Sequence, residues 1–432
     1  MNSTISSKPN LKTEAIAGIT TFFTMAYIVV VNPQIISADG KTGMAFSGVL
    51  TATVIICFSM TLLMGLYAKL PFAVAPGMGI NAFFTYTIIL GKGVPWSTAL
   101  GIIFWAGVFF LLISVTPVRE SIAKAIPAEL RIAAAAGIGI FLTFIGLKNA
   151  GFIVADPVTL VKLGALGKPA LLTILGVAIS IFLMSRRNPF AFLATIVVVT
   201  VVAWALGSVA VPAQVLTLPD FKSVFLKLDV IGALKLSLLP SIIAILFTDL
   251  FDSISTFIGV AHAGDLLDEN GHPKNLRQGL IVDSFATMGA GVAGTSSGTA
   301  YIESVAGIQM GGRTGLTSVF TALCFLPCFF IAPLAGMVPP YATAAVLILV
   351  GATMFRSVSQ ISFSKLEEAV PAFLTLILIP LTFSITQGIL WGFISHVGLY
   401  LMVGRRRDIN PVMYVLALVS IGLLVLERVK FG

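Results

Sequence analysis

Long apolar runs separated by short polar turns fill almost the whole chain. Runs over roughly 14–36, 45–69, 75–91, 96–117, 128–148, 168–185 and 188–211 have the length and character of membrane-crossing helices. After a polar, mildly amphipathic stretch from Pro212 to Lys235, the pattern resumes over roughly 236–262, 276–293, 299–310, 314–335, 338–356, 368–384 and 386–403. A last apolar segment, 410–428, follows Arg405–Arg407. Strands of a membrane barrel would alternate apolar and polar residues over about ten positions; stretches such as Phe192–Leu206 and Ser384–Val403 do not. The expected fold class is an all-α polytopic membrane protein of about 14 transmembrane helices. Pro212–Lys235 is its midpoint, with an interfacial helix as one expected form.

Composition supports the same class. Of 432 residues, 57% are hydrophobic and 10% are charged, against about 25% charged in a soluble domain. Such a chain cannot cover a water-facing surface, which excludes a soluble enzyme. The net charge of +8 does not call for nucleic acid. Its excess lies in short segments: Arg119/Lys124/Arg131, Arg186/Arg187, Lys274/Arg277, Arg313 and Arg405/Arg406/Arg407. This is the positive-inside pattern, which places those segments in the cytoplasm and the protein in a plasma or inner membrane. Residues 1–13 form a polar cytoplasmic tail without a cleavable signal pattern.

The two halves look like repeats. Pro169–Ile174 (PALLTI) echoes Pro371–Leu376 (PAFLTL), and two segments rich in small residues interrupt the apolar pattern: Ala75–Phe84 (APGMGINAFF) and Ala293–Ile302 (AGTSSGTAYI). Seven spans per half is an odd number, so the halves have opposite topology, a 7+7 inverted repeat with two broken helices. The expected division is a first repeat 14–211, a linker 212–235, a second repeat 236–404 and a C-terminal segment 405–432. The two segments start 218 residues apart (293 − 75), close to half the chain. Unpaired backbone in hydrocarbon costs several kcal/mol per group and is tolerated where it lines a cavity. Close helix packing by small residues is the competing explanation.

Four acids fall inside apolar spans or beside a break: Asp249, Asp252, Asp283 and Glu303. An acid at a helix centre costs roughly 2.5–3.5 kcal/mol. These four therefore line a wet cavity, accept hydrogen bonds from nearby hydroxyls, or carry protons, since burial raises a carboxyl pKa. Asp249 and Asp252, at i and i+3, share a helix face. For Asp249 and Asp283 a purely structural hydrogen bond between helices is an equal alternative. Thr299 lies close to Glu303. Asn81 occupies the first break, either as a donor and acceptor for a ligand or as a helix cap.

Other features carry less. Cys57, Cys324 and Cys328 lie in apolar runs, read as packing, and imply no disulfide framework. His396 lies in a late span and also reads as packing. Gly294–Gly298 fits the G-x-S-x-G elbow of hydrolases, but no nearby span offers a histidine base. Nucleotide-binding and zinc motifs are absent, so no cofactor is expected. Asp265–Gly271 is a polar turn.

Several longer stretches resemble one family. Phe72–Phe84 (FAVAPGMGINAFF), Thr20–Tyr27 (TTFFTMAY) with Asn32-Pro33, Asp249–Ser253 (DLFDS), Gly294–Ser297 with Tyr301–Ser304 (YIES), and Gly311–Gly315 (GGRTG) are similar to the signatures of the AzgA-like purine permeases, a branch of the nucleobase–cation symporters of the nucleobase/ascorbate type. The likeness runs from about Glu14 to Arg407. It implies a core domain, 14–117 plus 236–335, that moves elevator-fashion against a gate domain, 128–211 plus 338–404, in a homodimer within the lipid bilayer. It implies uptake of hypoxanthine, guanine and adenine with a proton. Residue by residue it places substrate-binding acids at Asp252 and Glu303, the third-span asparagine at Asn81 and the ninth-span aspartate at Asp283. With Thr299, and with Phe84 or Phe251 stacked on the ring, these form the expected substrate site; Asp252, Glu303 and Asp283 are the expected proton carriers. Ser255 and Gly298 depart from the family pattern beside that site, which bears on the preferred purine.

The rivals are a uracil, xanthine or anion carrier of the same fold, an intramembrane hydrolase using Ser296, and a passive channel. An anion carrier needs a cation at the site, and by sequence the acid-bearing spans offer only Arg277 at a cytoplasmic end.

Overall fold

The computed structural model describes residues 10–116, 125–264, 266–267 and 273–428. Arg119, Lys124 and most of the Asp265–Gly271 turn lie outside them. The first span is interrupted: α1 (Leu11–Met25) stops at Ala26–Tyr27 and α2 (Ile28–Ser37) carries on, with Pro33 inside it. There follow α3 (Phe46–Leu63), extended by a wider π turn over Met64–Ala68, then strand β1 (Val74–Pro76) and α4 (Met78–Ala82), which continues as a π-helical stretch over Phe83–Gly91. Next are α5 (Trp96–Val115), α6 (Ala128–Asn149), α7 (Lys168–Ser185) and α8 (Ala191–Ala205).

The second half begins with α9 (Leu239–Ala263) and α10 (Leu276–Ala293). Its break is strand β4 (Gly298–Ala300) followed by the short α11 (Ser304–Gln309). Then come α12 (Gly315–Phe325), α13 (Ala332–Gly336), α14 (Pro340–Phe355), α15 (Leu366–Thr382), α16 (Ile385–Met402) and α17 (Pro411–Arg428). Among the described residues, eight helical segments are long and apolar enough to cross a membrane, and four more apolar helices are shorter. The last segment packs as an added helix against α16.

Two expectations need correction. The chain is mostly helical but not purely so: β1 pairs with β4, and a hairpin of β2 (Ile153–Asp156) and β3 (Leu160–Leu163) stands between α6 and α7. In the β1–β4 pair Ala75 lies opposite Thr299, and Gly294–Ser297 forms the turn that leads into β4. Finally, residues 212–235 form no interfacial helix. They run as a strap bound back onto the helices: Leu226 N–H donates to Val292 O (2.9 Å), Asp229 N–H to Ser97 O (2.9 Å), and Trp105 Nε1–H to Val230 O (2.9 Å). Gly294, at φ +99°, lies under the strap; a Cβ there would come within 2.5 Å of Val224.

The helices pack in two groups. In one, α1 lies on α11 and α12, α3 on α2, α10 and α12, and α5 on α9 and α10. In the other, α6 lies on α14, α15 and α16, and α7 on α8 and α14. Small residues permit the closest approaches. A Cβ at Gly315 would lie 2.0 Å from Gly65 O, and one at Gly351 would lie 2.3 Å from Gly139 O.

The two strands cross in the buried middle of the first group, where backbone groups must find partners inside the protein. They do. Val74 N–H donates to Thr61 Oγ1 (2.9 Å), and the same hydroxyl donates to Val74 O (3.0 Å). Ala73 N–H donates to Ser304 Oγ (3.0 Å), Tyr301 N–H to Ala73 O (2.9 Å), and Gly77 N–H to Ser297 O (2.9 Å). The Ser318 hydroxyl spans Leu70 O and Phe72 O. An acid that the sequence pattern does not single out, Glu14, is buried at the start of α1; it accepts from Arg313 N–H (3.2 Å), from Thr314 N–H (3.4 Å) and from the Thr317 hydroxyl, so it ties α1 to the start of α12.

Thr61→Val would leave the Val74 N–H and C=O without the hydroxyl, at a cost of about 1–3 kcal/mol per buried group. The expected result is a clearly lowered Tm of the purified protein in detergent, largely restored by Thr61→Ser. Gly315→Val would force α12 away from the Gly65 carbonyl, costing at least about 1–3 kcal/mol. A Tm equal to that of the unaltered protein would contradict the close crossing.

Candidate functional site

β1 and β4 bring the two breaks together, and a cavity opens beside them. One wall is Gly77, Gly79 and Ile80 at the start of the helix after β1; a second is Thr248, Phe251, Asp252 and Ser255 on α9. The opposite wall comes from the other helix group: Arg131, Ala134, Ala135 and Ile138 of α6, with Met354 of α14. Gly79 keeps this gap narrow, since a Cβ there would meet Ile138 at 2.4 Å.

Helical periodicity explains which residues face the cavity. Thr248, Phe251, Asp252 and Ser255 recur at three- and four-residue intervals along one side of α9. Asp249 turns away and is fully buried. Its Oδ2 accepts from Ser297 Oγ (2.6 Å) and from the Thr287 hydroxyl. Asp283 is also fully buried, and its Oδ2 accepts from Ala300 N–H (3.1 Å), holding β4 in place. Each of these two acids leaves Oδ1 without a partner. The i, i+3 pair thus splits into one acid facing the cavity and one facing the strands.

The other expected site residues take several positions. Glu303 immediately precedes α11 and is only partly buried; its Oε1 accepts from Tyr27 O–H (2.7 Å). Thr299 lies in β4, with its hydroxyl 3.1 Å from Ser253 Oγ and its methyl facing Gly77. Asn81 is fully buried and does not line the cavity: its Oδ1 accepts from Ser296 Oγ (2.5 Å), and its amide nitrogen has no partner. Phe251 lines the cavity and stacks on Phe247 with 5.7 Å between centroids. Phe84, in the π-helical stretch, is fully buried and lies off the lining. The Ser296 hydroxyl is engaged with Asn81 and has no histidine partner among the described residues. His396 is buried and packs against Tyr400 (4.3 Å), and the three cysteines are free.

Two residues of the site escape the sequence reading. Tyr27, which binds Glu303, sits at the interruption between α1 and α2, and its apolar surroundings hide its role. Arg131, grouped by sequence with the basic loop, belongs to the first turn of α6 and lines the cavity. The expectation of a site without a cation is therefore corrected. The signal was its position three residues into an apolar run.

A second space lies at the other end of α6, lined by Asp39, Lys41, Tyr86, Lys148 and Phe383 among others. At its wall, the Thr87 hydroxyl donates to Phe383 O, and the Phe383 ring packs edge-on against Phe141 (5.2 Å) and Phe144 (5.1 Å).

This architecture recurs among solved structures. The transmembrane domain of the cyanobacterial bicarbonate transporter BicA superposes with a TM-score of 0.66, covering 89% of this chain and 98% of that one at 17% identity, a likeness of fold. In sequence, the chain is 44% identical over 411 residues to the adenine permease AdeP of Escherichia coli, covering 95% of this chain and 92% of AdeP. It is 39% identical over 418 residues to the guanine/hypoxanthine permease PbuO of Bacillus subtilis, covering 95% and 96%. A family model described as a permease family, Xan_ur_permease, matches residues 12–390. The crossed breaks, the acid-lined cavity between two helix groups and the length of these matches lead to one conclusion: the chain belongs to this permease family, as a multi-pass transporter of the cell membrane and not an enzyme.

Proposed function

We propose that this protein imports purine nucleobases (hypoxanthine, guanine and adenine) by proton symport, with a core group of helices carrying the base past a gate group. The observation that carries this reading is the cavity itself. It lies at the junction of the two groups, and its core wall combines the carboxylate of Asp252, the aromatic face of Phe251 and the backbone of the first break. The names of AdeP and PbuO point to the same class of cargo.

A purine is flat, neutral and edged with donors and acceptors. Asp252 accepts a ring N–H, and Phe251 offers a stacking face. Glu303, tied to Tyr27, is the second carboxylate beside the break. In this mechanism a proton on Asp252 or Glu303 lowers the charge of the loaded site while it crosses; Asp283, behind β4, is a third candidate carrier. One charge moved through 100 mV supplies about 2.3 kcal/mol, roughly a 50-fold concentration ratio, so one proton per base suffices. With the basic loops in the cytoplasm, the cavity beside Arg131 faces inward. The Thr87–Phe383 contact with Phe141 and Phe144 then closes the outward path below the Lys148 vestibule. The division into core and gate follows the two packing groups, and a homodimer belongs to the same reading.

Arg131 gives one observation in favour of an anion as cargo. Asp252 on the facing wall offsets that charge, which favours a neutral ring compound over an anion.

Glu303→Gln and Asp252→Asn are each expected to reduce hypoxanthine uptake by at least about 100-fold, with normal amounts of protein in the membrane. Full uptake by both variants would defeat the assignment. Uptake by the unaltered protein should be competed by purines, not by bicarbonate or sulfate, and a protonophore should abolish accumulation. Accumulation that persists with the protonophore while a sodium gradient is present would replace the proton by sodium.

A further inference from the structure

We propose that Arg131 is a specificity residue: its guanidinium reads the O6/N7 edge of the base and makes the site prefer 6-oxopurines over adenine. The proposal rests on the purine reading above and goes beyond it, since that reading leaves the preferred base open.

Arg131 is the only Lys or Arg lining the cavity among the described residues, and it approaches from α6, opposite Asp252 on α9. Its Nε is buried without a hydrogen-bond partner. Among the described residues, no carboxylate lies within ion-pair distance of it. The arginine and Asp252 thus share one space without neutralising each other directly. A guanidinium with an unsatisfied buried donor carries a desolvation cost that an inserted acceptor would remove.

The chemistry of the two walls specifies the ligand. Arginine is donor-only and forked; an ionised carboxylate is acceptor-only. A flat molecule that satisfies both shows two adjacent acceptors on one edge and N–H donors elsewhere. Hypoxanthine and guanine present N7 and O6 side by side, the acceptor pair that arginine binds bidentately. Adenine sets a donor amino group beside N7, so one arm of the fork would face another donor. A residue that merely anchored α6 at the membrane surface would lower uptake of all bases alike.

The test is competition of labelled hypoxanthine uptake by hypoxanthine, guanine and adenine in the unaltered protein, Arg131→Lys and Arg131→Gln. Ligand-induced shifts in Tm of the purified proteins serve as a second readout if a variant transports poorly. The unaltered protein should prefer hypoxanthine and guanine. Arg131→Gln, whose amide can pair with both N7 and the 6-amino group of adenine, should move the hypoxanthine-to-adenine ratio at least about fivefold towards adenine. Arg131→Lys, which keeps the charge but loses the fork, should shift the ratio in the same direction by less. An unchanged ratio in both variants, or an adenine preference in the unaltered protein, would overturn the assignment while leaving purine transport intact. No purine uptake or binding at all by the unaltered protein would overturn the purine reading, and this inference with it.

Discussion

Bare backbone placed in the middle of a membrane protein must be paired internally, and the rest of this structure depends on how that is done. Two short strands, β1 and β4, lie where continuous helices would otherwise run. Their antiparallel contact is too short to satisfy every group by itself. Side chains complete the pairing: Thr61 serves both polar groups of Val74, Ser304 receives Ala73 N–H, and Ser318 covers Leu70 and Phe72. Tyr301 O–H donates to Pro76 O (2.5 Å), locking one break onto the other. Thr61, Ser304 and Ser318 come from three different helices, so the break assembles only when the first helix group is packed.

That requirement explains the small and hydroxylated residues around the crossing. Hydroxyls provide hydrogen bonds without net charge, and glycines let backbones meet where a side chain would collide, as Gly65 and Gly315 do. It also explains why two acids sit deep among the strands. Asp249 and Asp283 accept from Ser297, Thr287 and Ala300 N–H and so support the break from behind. Asp252, one helical turn from Asp249, faces the cavity instead. The same stretch of α9 thus presents one acid to the strands and one to the cavity, on two faces.

The cavity itself belongs to neither helix group alone. Asp252 and Phe251 come from one, Arg131 and Ile138 from the other. The carboxylate and the guanidinium therefore face one space from the two sides of the junction between the groups. The hydrogen bond from the Thr87 hydroxyl to Phe383 O joins the first half of the chain to the second helix group, and Phe141 and Phe144 of that group pack against the Phe383 ring.

Much of this was legible from the amino-acid order. Apolar runs reveal helices because lipid admits little else, and breaks rich in glycine and serine stand out against them. Acids are conspicuous in a chain with 10% charged residues, so Asp252 and Glu303 could be singled out. Other features depend on partners distant in sequence. Strand pairing sets Ala75 opposite Thr299, from the other half of the chain. The 212–235 strap is held by α5 and α10, and its own composition suggests a surface helix. Glu14 is buried because α12 begins beside it. Arg131 carries the same charge as its loop neighbours, and only the packing of α6 against α9 and the first break turns it towards a cavity. Local order thus determined what each segment could become, because hydropathy and backbone chemistry act over a few residues. Tertiary packing decided which polar groups meet, because a hydrogen bond or a shared cavity depends on distances in space that residue spacing does not encode.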